Sequence, residues 1–278
     1  MYKFYIDRLK TSLKRNGLLK TLLSFPKKIP LIFRNLKPNK RRKICHDLIT
    51  KYTKILPWHY IFIGGYSIKE LNTKNKDEKV ALCFGIYDDV NLELALNKNG
   101  YKVYAFDPTP ISKELFLKNP DLEKYIHYSP WAVWSEDKKM KFFYKEDDQI
   151  FDNFEGTLED IDHSNHYELV DAFSLKSIMN KFEIDFVDYI KMDIEGAVPE
   201  VLMAYFSSEN DIDKFPYEIV FELEMPKDFS SPKADEILKK IESLLYKLNQ
   251  YYKVYNVQND QPNQNMHIHA VRIDRENM

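Results

Sequence analysis

Glycine is scarce in this chain, with 7 in 278 residues, and no G-x-G-x-x-G turn can be assembled from them. Such a turn lets a helix amino terminus hold a pyrophosphate, so its absence argues against a dinucleotide cofactor. Cysteine is scarcer still. Cys45 and Cys83 lie far apart and form neither a disulfide framework nor a metal-ligand spacing; the simplest reading is a reducing compartment. No run of about 18 apolar, uncharged residues occurs, which excludes an ordinary membrane-spanning helix. No internal repeat is visible. What is present is 44% hydrophobic and 30% charged residues, with 19 Tyr and 18 Phe. A chain of this length and composition buries a real core, as one large domain or a domain with an extension.

The net charge of -2 conceals an asymmetry. Of 41 Lys and Arg, 14 lie in Met1–Lys43; of 43 acids only Asp7 does, leaving 27 bases and 42 acids for the rest. A basic arm therefore precedes an acidic body. Ile6, Leu9 and Leu13 fall at helical spacing before an Asn16-Gly17 stop, and Leu18, Leu19, Leu22 and Leu23 form a second stripe ended by Pro26. Such an arm suits either a helical lid docked on the acidic body or a peripheral contact with anionic lipid through residues 1–43. A secretory signal would need an apolar region that Lys20, Lys27 and Lys28 interrupt. Nucleic-acid binding is disfavoured by the acidic body and the lack of a recognised module. The expected location is cytoplasmic, with or without contact at the inner face of a membrane.

From about Lys76 onward, strand and helix signals alternate, which predicts an α/β fold with a largely parallel sheet. Val80 to Phe84 ends at Gly85, and Asp88 or Asp89 is placed to cap a helix stopped by Gly100. Tyr101 to Phe106 is a strand ending on Asp107-Pro108. Further strands are expected at Tyr125–Tyr128, Lys139–Tyr144, Val187–Met192 and Tyr217–Leu223. Helices are expected from Ser174 to Phe182, after Pro199, and over Ala234–Leu248. Tyr251–Val257 and Met266–Ile273 read as an antiparallel pair. The expected organisation is a basic helical extension over 1–75 and a catalytic domain over 76–278.

In open α/β sheets, ligands bind beyond the carboxyl ends of the strands. There the sequence places Gly85, Asp88-Asp89, Asp107, then Asp193-Ile194-Glu195-Gly196, and Glu222-Leu223-Glu224. Asp107 lies 22 positions beyond Gly85, near the interval of roughly 20 residues at which nucleotide folds place a ribose-binding acid. A turn glycine and a strand-ending aspartate would look the same. With one glycine and two acids where phosphate would be repelled, the loop better suits a phosphate-free cation, such as the sulfonium of S-adenosylmethionine.

Three segments, Phe84-Gly85-Ile86-Tyr87-Asp88-Asp89-Val90, Tyr104-Ala105-Phe106-Asp107-Pro108-Thr109-Pro110 and Tyr189-Ile190-Lys191-Met192-Asp193-Ile194-Glu195-Gly196-Ala197, occur together and in order. In these the chain resembles the FkbM-type S-adenosylmethionine-dependent methyltransferases over about Lys76 to Asp274. The resemblance implies a class I methyltransferase (Rossmann-like) fold: a doubly wound, mostly parallel sheet with an antiparallel C-terminal hairpin. It also implies methyl transfer to oxygen, typically a hydroxyl of a sugar, glycan or glycolipid. Gly85 and Asp88 correspond to the cofactor loop, Asp107 to the ribose acid, Trp131 or Ala132 to the adenine wall, and Asp193 to a carboxylate facing cofactor or substrate. Trp131 could equally be a core aromatic. Tyr87 stands where relatives often carry a small residue, and Glu224 where a histidine is expected.

Methyl transfer from a sulfonium needs alignment, exclusion of water and a proton acceptor. Of the catalytic candidates Asp193, Glu195 and Glu224, Glu195 is the leading base and Asp193 a cofactor or substrate carboxylate, with His267 in reserve, and no metal is expected. Lys191, on an otherwise apolar strand, is expected to form a structural salt bridge to one of these acids. Methylation of another small metabolite and a non-catalytic binding protein of the same fold are the alternatives.

Overall fold

The computed structural model describes residues 40–56, 60–63, 66–69, 79–143, 167–209, 211–226, 229, 231–257 and 266–275. The two amphipathic stripes expected in the arm lie outside them. Met1–Ile44 and Cys45–Met278 form separate compact units. Of the first, only the opening turn of helix α1 (Lys40–Tyr52) is described. The second unit takes in residues 45–75, which the expected domain division places in the extension, and part of that stretch is strand.

Short strands lead the second unit: β1 (Lys54–Ile55), then an antiparallel hairpin of β2 (Tyr60–Ile63) and β3 (Tyr66–Lys69). Beyond them lie β4 (Lys79–Phe84), α2 (Asn91–Lys98), β5 (Tyr101–Phe106), α3 (Pro110–Lys118) and β6 (Ile126–Ser129). Next come β7 (Ala132–Val133), β8 (Lys138–Phe143), β9 (Tyr167–Phe173), α4 (Leu175–Lys181), β10 (Tyr189–Met192) and α5 (Val198–Ser208). β11 (Glu218–Leu223), α6 (Pro232–Leu248), β12 (Tyr252–Asn256) and β13 (Met266–Arg272) close the chain.

One sheet of eight strands runs β1-β12-β13-β11-β10-β4-β5-β6, and β13 alone lies antiparallel to its neighbours. This is the doubly wound arrangement the family resemblance implies, with β12 and β13 paired as expected. A separate small sheet, β7-β9-β8, is only partly legible in the sequence.

Period-two alternation sorts the strand residues onto two faces. Leu82, Phe84, Tyr104, Phe106, Ile190 and Met192 pack on one side, with Ile178, Leu202 and Leu244 of the helices. Ala81, Cys83, Val103, Ala105 and Tyr189 face the other, against Leu92, Leu96, Phe116 and the hairpin residues Tyr66 and Ile68. Helices α3 to α6 have a local reason to start where they do. Thr109, Ser174 and Ser231 accept backbone N–H bonds as caps, and Pro110, Pro199 and Pro232 occupy first-turn positions that need no donor. At α2 the cap residue is Val90 rather than Asp88 or Asp89; Asp89 instead accepts the Asn91 N–H at 2.9 Å.

The hairpin is tied down by buried polar bonds. Ser67 Oγ lies 2.5 Å from His269 Nδ1, His269 Nε2 lies 2.9 Å from Glu218 Oε2, and the Tyr189 hydroxyl donates to the Ser67 carbonyl at 3.0 Å. His269 is thus a satisfied core histidine. Ser67→Ala would strand its Nδ1 away from water. We expect a loss of about 1–3 kcal/mol in chemical denaturation.

Candidate cofactor site

At the end of β4 the chain turns through Gly85, whose φ of 74° is left-handed. Its N–H donates to the Phe106 carbonyl at 3.0 Å, and the Asp193 N–H donates to the Phe84 carbonyl at 3.0 Å. The ends of β4, β5 and β10 are therefore stitched together by main chain. A Cβ placed on Gly85 would sit 1.7 Å from the Asp193 carbonyl oxygen. The glycine expected to admit a ligand admits the backbone of Asp193 instead.

Asp107 organises the loop beyond Gly85. It is 3% exposed, and its Oδ2 accepts the N–H groups of Ile86 and Tyr87 at 2.8 Å each while Oδ1 accepts that of Thr109 at 2.7 Å. Three of roughly four carboxylate lone-pair positions are thereby filled. The acid expected to grip a ribose diol holds the loop here, and a fork to two hydroxyls would have to displace loop N–H groups. Ser112 Oγ donates to the Tyr87 carbonyl at 2.6 Å, which helps fix Tyr87 at a φ of 51°, an uncommon conformation for a bulky residue.

A cavity of about 170 Å³ opens beside this loop, lined by Tyr66, the loop residues Gly85 to Asp89, Leu92, Glu93, Lys191 and Asp193. Of the residues expected at a cofactor or catalytic site, Gly85, Asp88 and Asp193 line it. Trp131 and Ala132 do not. Trp131 stacks on Phe106 at 6.2 Å between centroids and meets Phe173 edge-on at 4.9 Å, as a core aromatic. Ala132 is buried with Phe142, Val170 and Ala172. Glu195 and Gly196 form a left-handed turn, φ 47° and 83°, leading into α5. A Cβ on Gly196 would stand 3.3 Å from Glu224 Oε2, so Glu224 closes over that turn outside the cavity lining.

Lys191 is 5% exposed. Its ammonium donates to the Gly85 carbonyl and lies 5.0 Å from the centre of the Tyr66 ring, in place of the salt bridge expected for it. Two lining residues, Tyr66 and Glu93, have no place in the sequence-based set of site residues, and Glu222 enters it only as part of the Glu222-Leu223-Glu224 strand end. Tyr66 comes from the hairpin, and its buried hydroxyl makes no hydrogen bond of good geometry. Burial first, then the nearby Asp193 and Glu222 carboxylates, hold that phenol strongly protonated. The signal is present in Gly64-Gly65 between Tyr60-Ile61-Phe62-Ile63 and Tyr66-Ser67-Ile68, a hairpin pattern. Glu93 follows Leu92 on α2 and has no sequence signature. Glu222 stands behind, where His267 Nε2 lies 3.9 Å from its Oε2 and the His267 ring 5.1 Å from Tyr66. Burial lowers the His267 pKa against the pull of Asp193, with Lys191 adding to the lowering, so the imidazole is a neutral base near pH 7.

Residues 75–248, more than half the chain, match the model of the methyltransferase FkbM domain. The chain belongs to that family. Among curated proteins no match is found. Solved structures to which the chain is similar include SMU.1697c from Streptococcus mutans in complex with SAH, at 8% identity over 84% of this chain and 98% of that one, TM-score 0.39. The METTL16 MTase domain matches at 11% identity over 94% of each chain, TM-score 0.40. A precorrin-6y C5,15-methyltransferase from Geobacter metallireducens matches at 12% over 72% and 84%, TM-score 0.30. At these scores the likenesses carry no argument about chemistry, and family membership rests on the domain match.

Gly85→Ala would force the Asp193 carbonyl away and strain φ in the same step. We expect a destabilisation on the order of 3 kcal/mol or more, read as a lower thermal midpoint or loss of soluble folded protein.

Proposed function

We propose that this methyltransferase moves the methyl group of S-adenosylmethionine to a hydroxyl of a sugar, glycan or glycolipid. The observation that carries the donor assignment is the acid-rich cavity at the ends of β4 and β10. Asp88, Asp89, Glu93 and Asp193 line it, while no phosphate-binding glycine turn exists in the sequence. A cationic, phosphate-free donor is attracted there, and a pyrophosphate is repelled. The residues therefore fit the group. When bound, S-adenosylmethionine supplies an electrophilic methyl with a neutral thioether as leaving group, so no acid is needed.

The chain's own residues must bind the acceptor, exclude water and take a proton from its oxygen. Asp193 lines the cavity and is the leading proton acceptor. Glu195 and Glu224, gathered at the Gly196 turn, are assigned to acceptor hydroxyls. His267, neutral and beside Glu222 and Tyr66, is the alternative base. Trp131 is assigned to the core instead of the adenine wall. Support for an oxygen acceptor comes from family membership and this concentration of carboxylates.

Isothermal titration with S-adenosylmethionine tests the donor. Measurable heat, lost on Asp107→Ala because the loop loses its anchor, is the expected result. Silence would favour a non-catalytic protein whose loop is closed by Tyr87, which lines the cavity. With an accepted sugar substrate, Asp193→Asn is expected to lower kcat by roughly 10²–10⁴-fold. Unchanged turnover would transfer the base role to His267.

Among the described residues no helix is long and apolar enough to cross a membrane. The 14 cations of Met1–Lys43 support a lipid-linked acceptor met at an anionic surface. The full-length protein is expected to co-sediment with phosphatidylserine-containing vesicles at low salt and to be released as salt rises. Failure to co-sediment at low salt would remove the membrane part alone.

A further inference from the structure

Glu93 is an anomaly on the inner face of α2. It is 1% exposed, and neither carboxylate oxygen meets a donor at good hydrogen-bond geometry, although its own N–H and the Cys83 thiol lie close. A buried carboxyl without a well-placed donor is costly, and an apolar residue beside Leu92 would remove that cost. The groups facing it are Lys191 of β10, Cys83 of β4 and Asp89 of the loop. Cys83 and Lys191 are paired in register and share the sheet face that α2 covers. Burial raises the carboxyl pKa, against the pull of the Lys191 ammonium.

The cavity that Glu93 lines, about 170 Å³, is smaller than the roughly 300–1,000 Å³ typical of sites for whole drug-sized ligands. It suits one end of an extended cofactor. S-Adenosylmethionine has a neutral adenosine end and an amino-acid end that carries an ammonium and a carboxylate. Lys191 bears up to three donors, of which the Gly85 carbonyl engages one. An acid without donors and a base with donors to spare therefore line the same small space.

We propose that Glu93 is the specificity residue for the α-ammonium group of the cofactor's amino-acid end, with Lys191 serving its carboxylate. The assignment rests on S-adenosylmethionine as donor, and it accounts for an acid buried where an apolar residue would pack. Binding draws the ammonium to the orphaned oxygens, where a charge-assisted hydrogen bond is strong because water is excluded.

The test compares S-adenosylhomocysteine, which keeps the amino-acid end and lacks the sulfonium charge, with methylthioadenosine, which lacks both. Titration calorimetry is performed on wild type, Glu93→Gln and Glu93→Met, the second variant filling the site with an apolar side chain of similar size. Wild type is expected to bind S-adenosylhomocysteine at least tenfold more tightly than methylthioadenosine. Each variant is expected to lose at least tenfold on the first ligand and less than twofold on the second, with a thermal midpoint at or above that of wild type. An unchanged preference overturns the proposal, as does parallel weakening of both ligands, which would mark a structural role. Loss confined to S-adenosylmethionine also overturns it, because Glu93 would then face the sulfonium. If wild type binds none of the three, the donor assignment itself fails.

Discussion

The site depends on one steric contact between two main chains. The Asp193 carbonyl occupies the space where any other residue at position 85 would place its Cβ. With Phe84 and Phe106 accepting the flanking N–H bonds, this contact fixes where β4, β5 and β10 end relative to one another. Everything that lines the cavity hangs from those ends. The loop leaves from Gly85, the acidic turn leaves from Asp193, and Lys191 reaches back to the Gly85 carbonyl. Asp107 completes the frame by holding the loop N–H groups from the neighbouring strand.

Polar burial in this protein is of two kinds. Ser67, His269 and Glu218 form a satisfied chain, and such chains fix a unique arrangement because each member has somewhere to go. Tyr66 and Glu93 are the other kind, buried with unpartnered oxygens beside a cavity. The first kind is a feature of the fold. The second is tolerated at a cost and lies on the cavity wall, a pattern typical of sites where stability is traded for function.

The central sheet is legible because its strands carry short apolar runs ended by Gly85, Asp107 and Asp193, and most of its helices begin at Ser, Thr or Pro. The strand order comes only from the family resemblance, since alternation of strand and helix does not by itself choose among doubly wound orders. The β2–β3 hairpin escapes because the basic charge of the first 43 residues draws the whole leading segment into one helical extension. Its apolar runs on either side of Gly64-Gly65 carry the opposite message. Spacing puts Asp107 at the end of its strand, but cannot show that its oxygens are taken by the backbone. Nor can it place Trp131, because stacking on Phe106 and Phe173 depends on where three separate elements meet. Glu93 has no signal at all: an acid one position from a leucine on an amphipathic helix ordinarily faces water.

The homology boundary and the physical boundary of this enzyme do not coincide. The family match stops at residue 248, yet Tyr66 is anchored through Ser67 to His269 on the last strand. A fragment cut to the matched region, residues 75–248, would keep every motif and lose both Tyr66 and the Ser67–His269 clasp that holds it. The minimal competent piece is therefore set by a residue near each end of the second unit, and an engineered truncation should be drawn around that tether.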